Sequence, residues 1–245
     1  MKIFLDIGHP AHVHYFKNIL QSLTQEGHDF LVTAREKDIT HKLLDNYNIS
    51  YISRGRGGKN LITKFFYLFK ANYQLYKLGK QFKPDLFISF ASPYAGQAAY
   101  FLKIPHFSFT DTEHAKLGIL AFLPFCDIVI TPSTYKDNLG KKHIYFNGYM
   151  EQCYLAKKYF NPNINSLKEL NINKNQKYII IRLVSWDASH DIGQNGVTTG
   201  SLLKLIHKLK NYARIFISSE GTIPKELREY SLSIDPTKMH DVLYY

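Results

Sequence analysis

Lys2-Ile3-Phe4-Leu5-Asp6-Ile7 runs straight into Gly8-His9-Pro10-Ala11-His12-Val13-His14, and residues 15–26 continue with helical spacing. An apolar run closed by a glycine and a proline, then a helical period, opens an α/β unit as strand, turn and helix. The alternation repeats down the chain. Strand-like runs at 29–33, 50–53, 85–89, His106–Phe109, 128–131 and 144–147 are separated by helix-length segments at 40–47, Leu61–Phe82, 95–102 and Lys116–Phe122. Strands alternating with helices predict a parallel sheet.

The Asn-rich stretch 161–175, with Pro162, reads as a linker or a loop around one short helix, so residues 1–160 form one domain and 161–245 another. The second begins with a buried-type strand at 178–184, a helix at 202–212, a strand at 214–218 and a third, short strand at 232–234. Residues 238–245 look like the opening of a further helix. Two good parallel strands have little core to bury, so this unit is expected to be partial.

The chain of 245 residues is 45% hydrophobic and 21% charged, an ordinary globular balance that excludes wholesale disorder. Two cysteines, Cys126 and Cys153, are no disulfide framework at this length, and the N-terminus lacks the pattern of a secretory signal. A reducing cytoplasm is the expected setting. The longest charge-free run, 86–102, is broken by Ser89, Ser92, Pro93, Gly96 and Gln97, so no spanning helix is expected. The net charge of +11 lies mostly in the first domain, where residues 1–160 hold 20 basic and 12 acidic residues. A field of that sign draws phosphates, anionic lipid or nucleic acid.

Four stretches could carry chemistry. Gly8 to His14 follows the first strand, at the carboxyl edge where open α/β sheets bind ligands and where a helix N-terminus offers N–H groups to an anion. The alternative is a plain turn with solvent-facing histidines. His12 and His14 have alternate-ligand spacing, but no local carboxylate or cysteine completes a metal site, and the GxGxxG dinucleotide fingerprint is absent. Asp111-Thr112-Glu113-His114 follows the fifth strand, where two carboxylates and an imidazole can supply a general base and its orienting partner. Otherwise Asp111 or Thr112 caps the next helix and Glu113 lies in its first turn. Arg182 to Asp191 closes the first strand of the second unit, and Arg182 within an apolar strand calls for an acidic partner or a phosphate. Arg54-Gly55-Arg56-Gly57-Gly58-Lys59 reads as a basic loop able to wrap an oxyanion, or as a flexible turn.

Residues 59–83 carry Lys59, Lys64, Lys70, Lys77, Lys80 and Lys83 and no acid, interleaved with Leu61, Phe65, Phe66, Leu68, Phe69, Tyr73, Tyr76 and Phe82. Such a helix suits an anionic membrane surface, or else covers the sheet with its lysines in water.

Residues 6–18, 33–38, 109–115 and 185–191, in order, resemble a bacterial and archaeal family with a domain of unknown function. That family is in turn similar to GT-B glycosyltransferases and to the non-hydrolysing UDP-N-acetylglucosamine 2-epimerases. The resemblance implies two Rossmann-like domains, the N-terminal one on the acceptor side and the partial C-terminal one on the nucleotide-sugar side. Gly8-His9-Pro10-Ala11-His12-Val13 looks like the glycine-rich first loop of the peptidoglycan N-acetylglucosaminyltransferase. Asp111 and Glu113 fall where the epimerases keep acidic residues, and His190 near their C-domain histidine. Family members continue past residues 218–224 and 239–243 into a glycine-rich loop that would hold the donor diphosphate, so the chain is expected to be a C-terminally truncated member.

From this resemblance the expected function is sugar transfer from a nucleotide-sugar donor to a glycan or lipid-linked acceptor in surface polysaccharide synthesis, without metal or redox cofactor. The alternatives are a sugar-nucleotide 2-epimerase and a non-catalytic binding module or gene remnant. His12, Asp111, Glu113 and His190 are the expected catalytic residues. Gly8, His9, His14, His114, Arg182, Asp187, Asp191, Ser219 and Glu220 are the expected substrate-binding ones. The protein is expected in the cytoplasm, peripheral to the inner membrane face through Leu61–Phe82, and not on nucleic acid.

Overall fold

The computed structural model describes residues 1–58, 61–183, 197–219 and 221–245, excluding the side chains of Leu61 and Lys64. The chain separates into two compact units, Met1–Phe160 and Asn161–Tyr245.

The first unit is a parallel α/β layer structure. Its strands are β1 (Lys2–Ile7), β2 (Asp29–Glu36), β3 (Ile52–Arg56), β4 (Leu86–Phe90), β5 (His106–Phe109), β6 (Ile128–Pro132) and β7 (His143–Phe146). They lie in the order β3-β2-β1-β4-β5-β6-β7, every pair parallel. The connecting helices are α1 (Pro10–Gln25), α2 (Thr40–Asn46), α3 (Leu61–Phe82), α4 (Pro93–Leu102) and α5 (Lys116–Phe122), with the short α6 (Gln152–Leu155) after β7. Right-handed crossovers place α1 and α2 on one face and α3, α4 and α5 on the other. The packing agrees, since Leu5 and Ile7 of β1 join Val13, Phe16, Leu43 and Leu44, while Phe4 joins Leu75, Phe87 and Ala95.

The chain order reverses between β1 and β4, so their carboxyl ends flank a topological switch point, the place where open α/β sheets bind ligands. Two features shape it. Helix α1 starts at Pro10, five residues earlier than its periodicity suggests, because His9 is extended and its Nδ1 accepts the Ala11 N–H at 3.2 Å as an N-cap. At the other side Ala91 adopts a left-handed φ of 46°, unusual for a residue with a Cβ, and Ser92 caps α4.

Strand β3 departs from expectation. Arg54, Gly55 and Arg56 belong to the strand rather than to a basic loop. Gly55, at φ 73°, takes up the register shift opposite Ala34 and Glu36, a bulge the glycine allows. Arg56 pairs with Glu36 at 2.6 Å on the surface.

In the second unit β8 (Tyr178–Leu183) and β9 (Arg214–Ser219) pair in parallel. Helix α7 (Thr199–Leu209) covers one face through Leu202 and Ile206 against Ile215 and Ile217, and Thr198 caps it by accepting from Ser201 N–H. Leu167, Leu170 and Val242 of α8 (Met239–Tyr244) cover the other face against Phe216. The expected third strand at 232–234 is not formed. Among the described residues one bridge, Ile217 to Ser231, extends the sheet, and Leu232 and Ile234 pack as partly buried side chains before Pro236 opens a 3-10 turn.

Candidate functional site

The carboxyl edge of the first unit is built on a buried ion pair. Asp6 and Arg54 side chains are 0% and 1% exposed, and Arg54 Nε and Nη2 donate to the two carboxylate oxygens at 2.9 and 3.2 Å. Thr33 Oγ1 and Ser92 Oγ donate to the same carboxylate at 2.8 and 2.6 Å, and Arg54 Nη1 donates to Tyr67 Oη at 2.8 Å. Buried charge is tolerable only when paired and fully hydrogen-bonded, as here. This network ties β1, β2 and β3 to α3 and to the N-terminus of α4, fixing the loop that begins at Gly8.

On that loop the Gly8 N–H donates to His12 Nδ1 at 3.2 Å. A backbone N–H can only donate, so Nδ1 is unprotonated. Burial, then the neighbouring His9, Arg54 and Lys37, hold the imidazole pKa well below its ordinary value. His12 is therefore neutral with its hydrogen on Nε2, a donor at the switch point. His14 points elsewhere: it is buried against the rings of Tyr47 and Tyr154.

Asp111 and Glu113 follow β5 and line a cavity of about 220 Å³ with Thr134, Tyr135, Tyr149 and Glu151. Their environments drive them apart. Burial raises the Asp111 carboxyl above the usual carboxylate range, helped by the charge of Glu151 and opposed by the hydrogen bond from Thr112 Oγ1 at 2.8 Å. Hydrogen bonds from backbone N–H groups, including that of Lys136 at 3.0 Å, lower Glu113. Two carboxylates whose pKa values are pushed apart form the pattern in which acid and base roles can divide. The charge of Asp111 also raises the Tyr15 hydroxyl, already raised by burial, which links the cavity to the start of α1. Tyr135 is buried, and its hydroxyl has no hydrogen-bond partner among the described residues. Among those residues no group of three His, Cys, Asp or Glu could hold a metal ion.

Gly8, His9, His12, Asp111 and Glu113 thus share the carboxyl edge of the first unit, while His114 is exposed just before α5. In the second unit Ser219 ends β9 and its Oγ accepts the Gly221 N–H at 3.2 Å. Arg182 lies near the end of β8. Its side chain is exposed on a two-stranded sheet and donates to Ser218 Oγ at 3.4 Å. Asp187, His190, Asp191 and Glu220 lie outside the described residues. The sequence reading missed Asp6, Tyr15, Tyr135 and Glu151. The rule applied to Arg182, that a charge within an apolar strand needs a partner, finds Asp6 when applied to β1.

Residues 1–236 match the model of the family described as "Protein of unknown function (DUF354)". The uncharacterized protein MJ0665 of Methanocaldococcus jannaschii is 27% identical over 253 residues, covering 99% of this chain and 73% of that protein. Among solved structures, a UDP-GlcNAc 2-epimerase of Methanocaldococcus jannaschii superposes with a TM-score of 0.66 at 13% identity, covering 100% of this chain and 68% of that one. The S. aureus MnaA–UDP co-structure gives 0.65 at 13% identity, covering 98% and 71%. MurG of Acinetobacter baumannii gives 0.54 at 15% identity, covering 98% and 65%. The chain spans about two thirds of the length of these structures. At such identities the likeness is one of fold, a GT-B-like α/β architecture with Rossmann-like units.

Proposed function

Because the chain belongs to the DUF354 family and has the fold of sugar-nucleotide enzymes, we propose that it transfers a sugar from a nucleotide-sugar donor to an acceptor bound at the carboxyl edge of its first unit. The observation that carries this reading is the split carboxylate pair, with Asp111 raised by burial beside a cavity and Glu113 kept ionised. The Asp111 carboxylate takes the proton of the acceptor hydroxyl. The hydroxyl oxygen then bonds to the anomeric carbon as the bond to the diphosphate breaks, and the nucleoside diphosphate leaves. His12, neutral with its hydrogen on Nε2, serves as a hydrogen-bond donor to a phosphate or hydroxyl oxygen rather than as the base. The second unit is the proposed nucleotide side, with His190 and Glu220 as its candidate contacts. The proposed setting is surface polysaccharide or glycan synthesis at the cytoplasmic face.

One observation favours epimerisation at C2 as a second reading: three carboxylates, Asp111, Glu113 and Glu151, line a single cavity, enough for proton removal and return without an acceptor. Incubating the full chain with UDP-N-acetylglucosamine in deuterated water separates the two. Transfer predicts nucleoside diphosphate release only when a glycan or lipid acceptor extract is added. Deuterium at C2 without acceptor overturns transfer in favour of epimerisation.

A further inference from the structure

We infer that the outward face of α3 is a docking surface for an anionic lipid bilayer. Five large side chains of α3, Ile62, Phe65, Phe66, Phe69 and Tyr73, are 69%, 58%, 67%, 58% and 69% exposed. At about 100° per residue they fall within an arc of about 100°, opposite the arc of Tyr67, Ala71 and Leu75 that is buried against the sheet. The helix therefore has two apolar stripes, and only one is used by the fold. Phe65 packs its ring on Phe66 and Phe69, with centroids 6.1 and 4.8 Å apart, so the three phenylalanines form an aromatic ridge within the outer stripe. Leu117, near the start of α5 in the same helical layer, is 85% exposed.

Charge selects the occupant. Between Asp45 and Asp111 the sequence has a single acidic residue, Asp85, and α3, α4 and α5 have none. Lys70, Lys77 and Lys80 are exposed along α3 beside the ridge. A second copy is a poor partner, because a two-fold interface sets the same patch against itself and would bring lysines together with no acid on that face to pair them. An anionic headgroup layer supplies the missing negative charge, and the ridge enters the acyl boundary while lysine stems reach up to phosphates. Among the described residues no helix is long and apolar enough to cross a membrane.

The placement has a consequence. Helix α3 begins where β3 ends and α5 begins after β5, so the ridge and Leu117 lie toward the carboxyl edge that carries Gly8, His12 and Asp111. A ligand anchored in lipid would be delivered at that edge. The docking itself does not depend on the transfer reading.

Flotation of the full chain with vesicles of phosphatidylglycerol and phosphatidylethanolamine, against phosphatidylcholine vesicles, tests this. Binding to the anionic vesicles only is expected, weakening as salt shortens the Debye length. Phe65→Ser/Phe66→Ser/Phe69→Ser and, separately, Lys70→Glu/Lys77→Glu should each lower it at least tenfold while far-ultraviolet circular dichroism stays unchanged. Equal binding to both vesicles, binding to neither, or wild-type binding by the aromatic variant overturns the proposal. A concentration-dependent dimer that the phenylalanine substitutions dissociate assigns the face to a second copy and overturns it as well.

Discussion

Asp111 shows how position on a fold converts an ordinary carboxylate into a candidate base. It follows a short strand, is half-buried, and shares a small cavity with Glu151, so its charged form is disfavoured. Nearby Glu113 has the opposite environment through backbone N–H donors. A base must be ionised to act, so activity should fall as pH falls through the Asp111 pKa, with the acid limb lying above the ordinary carboxylate value. Asp111→Asn should lose about 10²–10⁴-fold in kcat and abolish that limb, whereas Glu113→Gln should keep the limb in place. A pH–rate profile of the three proteins checks this. His12 was legible in the sequence as a residue at the right edge, but its protonation was not, because only the closed Gly8 to His12 hydrogen bond fixes which nitrogen carries hydrogen.

At the scale of elements, the strand-helix alternation marks out most of the first unit because each element carries its own periodicity. The exceptions arise where a side chain answers to a distant partner. Arg54 looked like part of a loop because glycines surround it, yet Asp6, 48 residues earlier, draws it into β3 as a buried strand residue. The start of α1 was hidden because a histidine, not the usual serine or aspartate, serves as its cap. The Asp6 network predicts that Arg54→Met destabilises the first unit by about 3–5 kcal/mol, since it strands a buried carboxylate. Adding Asp6→Asn should recover part of that loss. Urea unfolding of the single and double variants reads the coupling. Equal and additive losses would mean that the pair is not held as a unit.

For the whole molecule, acid is the informative perturbation. His106 is fully buried with Nε2 at 2.9 Å from Ser89 Oγ, and burial lowers its pKa to about 4. An unfolded histidine binds its proton near pH 6.5, so the unfolded state takes up more protons between those values. Stability is then full above pH 6.5 and declines as pH falls toward 4, by on the order of 3 kcal/mol from this one group. Thermal melting of the full chain at pH 7 and 4.5 should show the drop, and His106→Gln should shrink it. The central question is whether this fold and this edge act on a nucleotide sugar. The most direct measurement is nucleoside diphosphate release from UDP-, GDP- and dTDP-sugars, with and without a cell-derived glycan and lipid extract as acceptor, by the wild-type chain and Asp111→Asn. The account predicts release that requires the extract and drops at least a hundredfold in the variant. No release from any donor, or a full rate in Asp111→Asn, would contradict it.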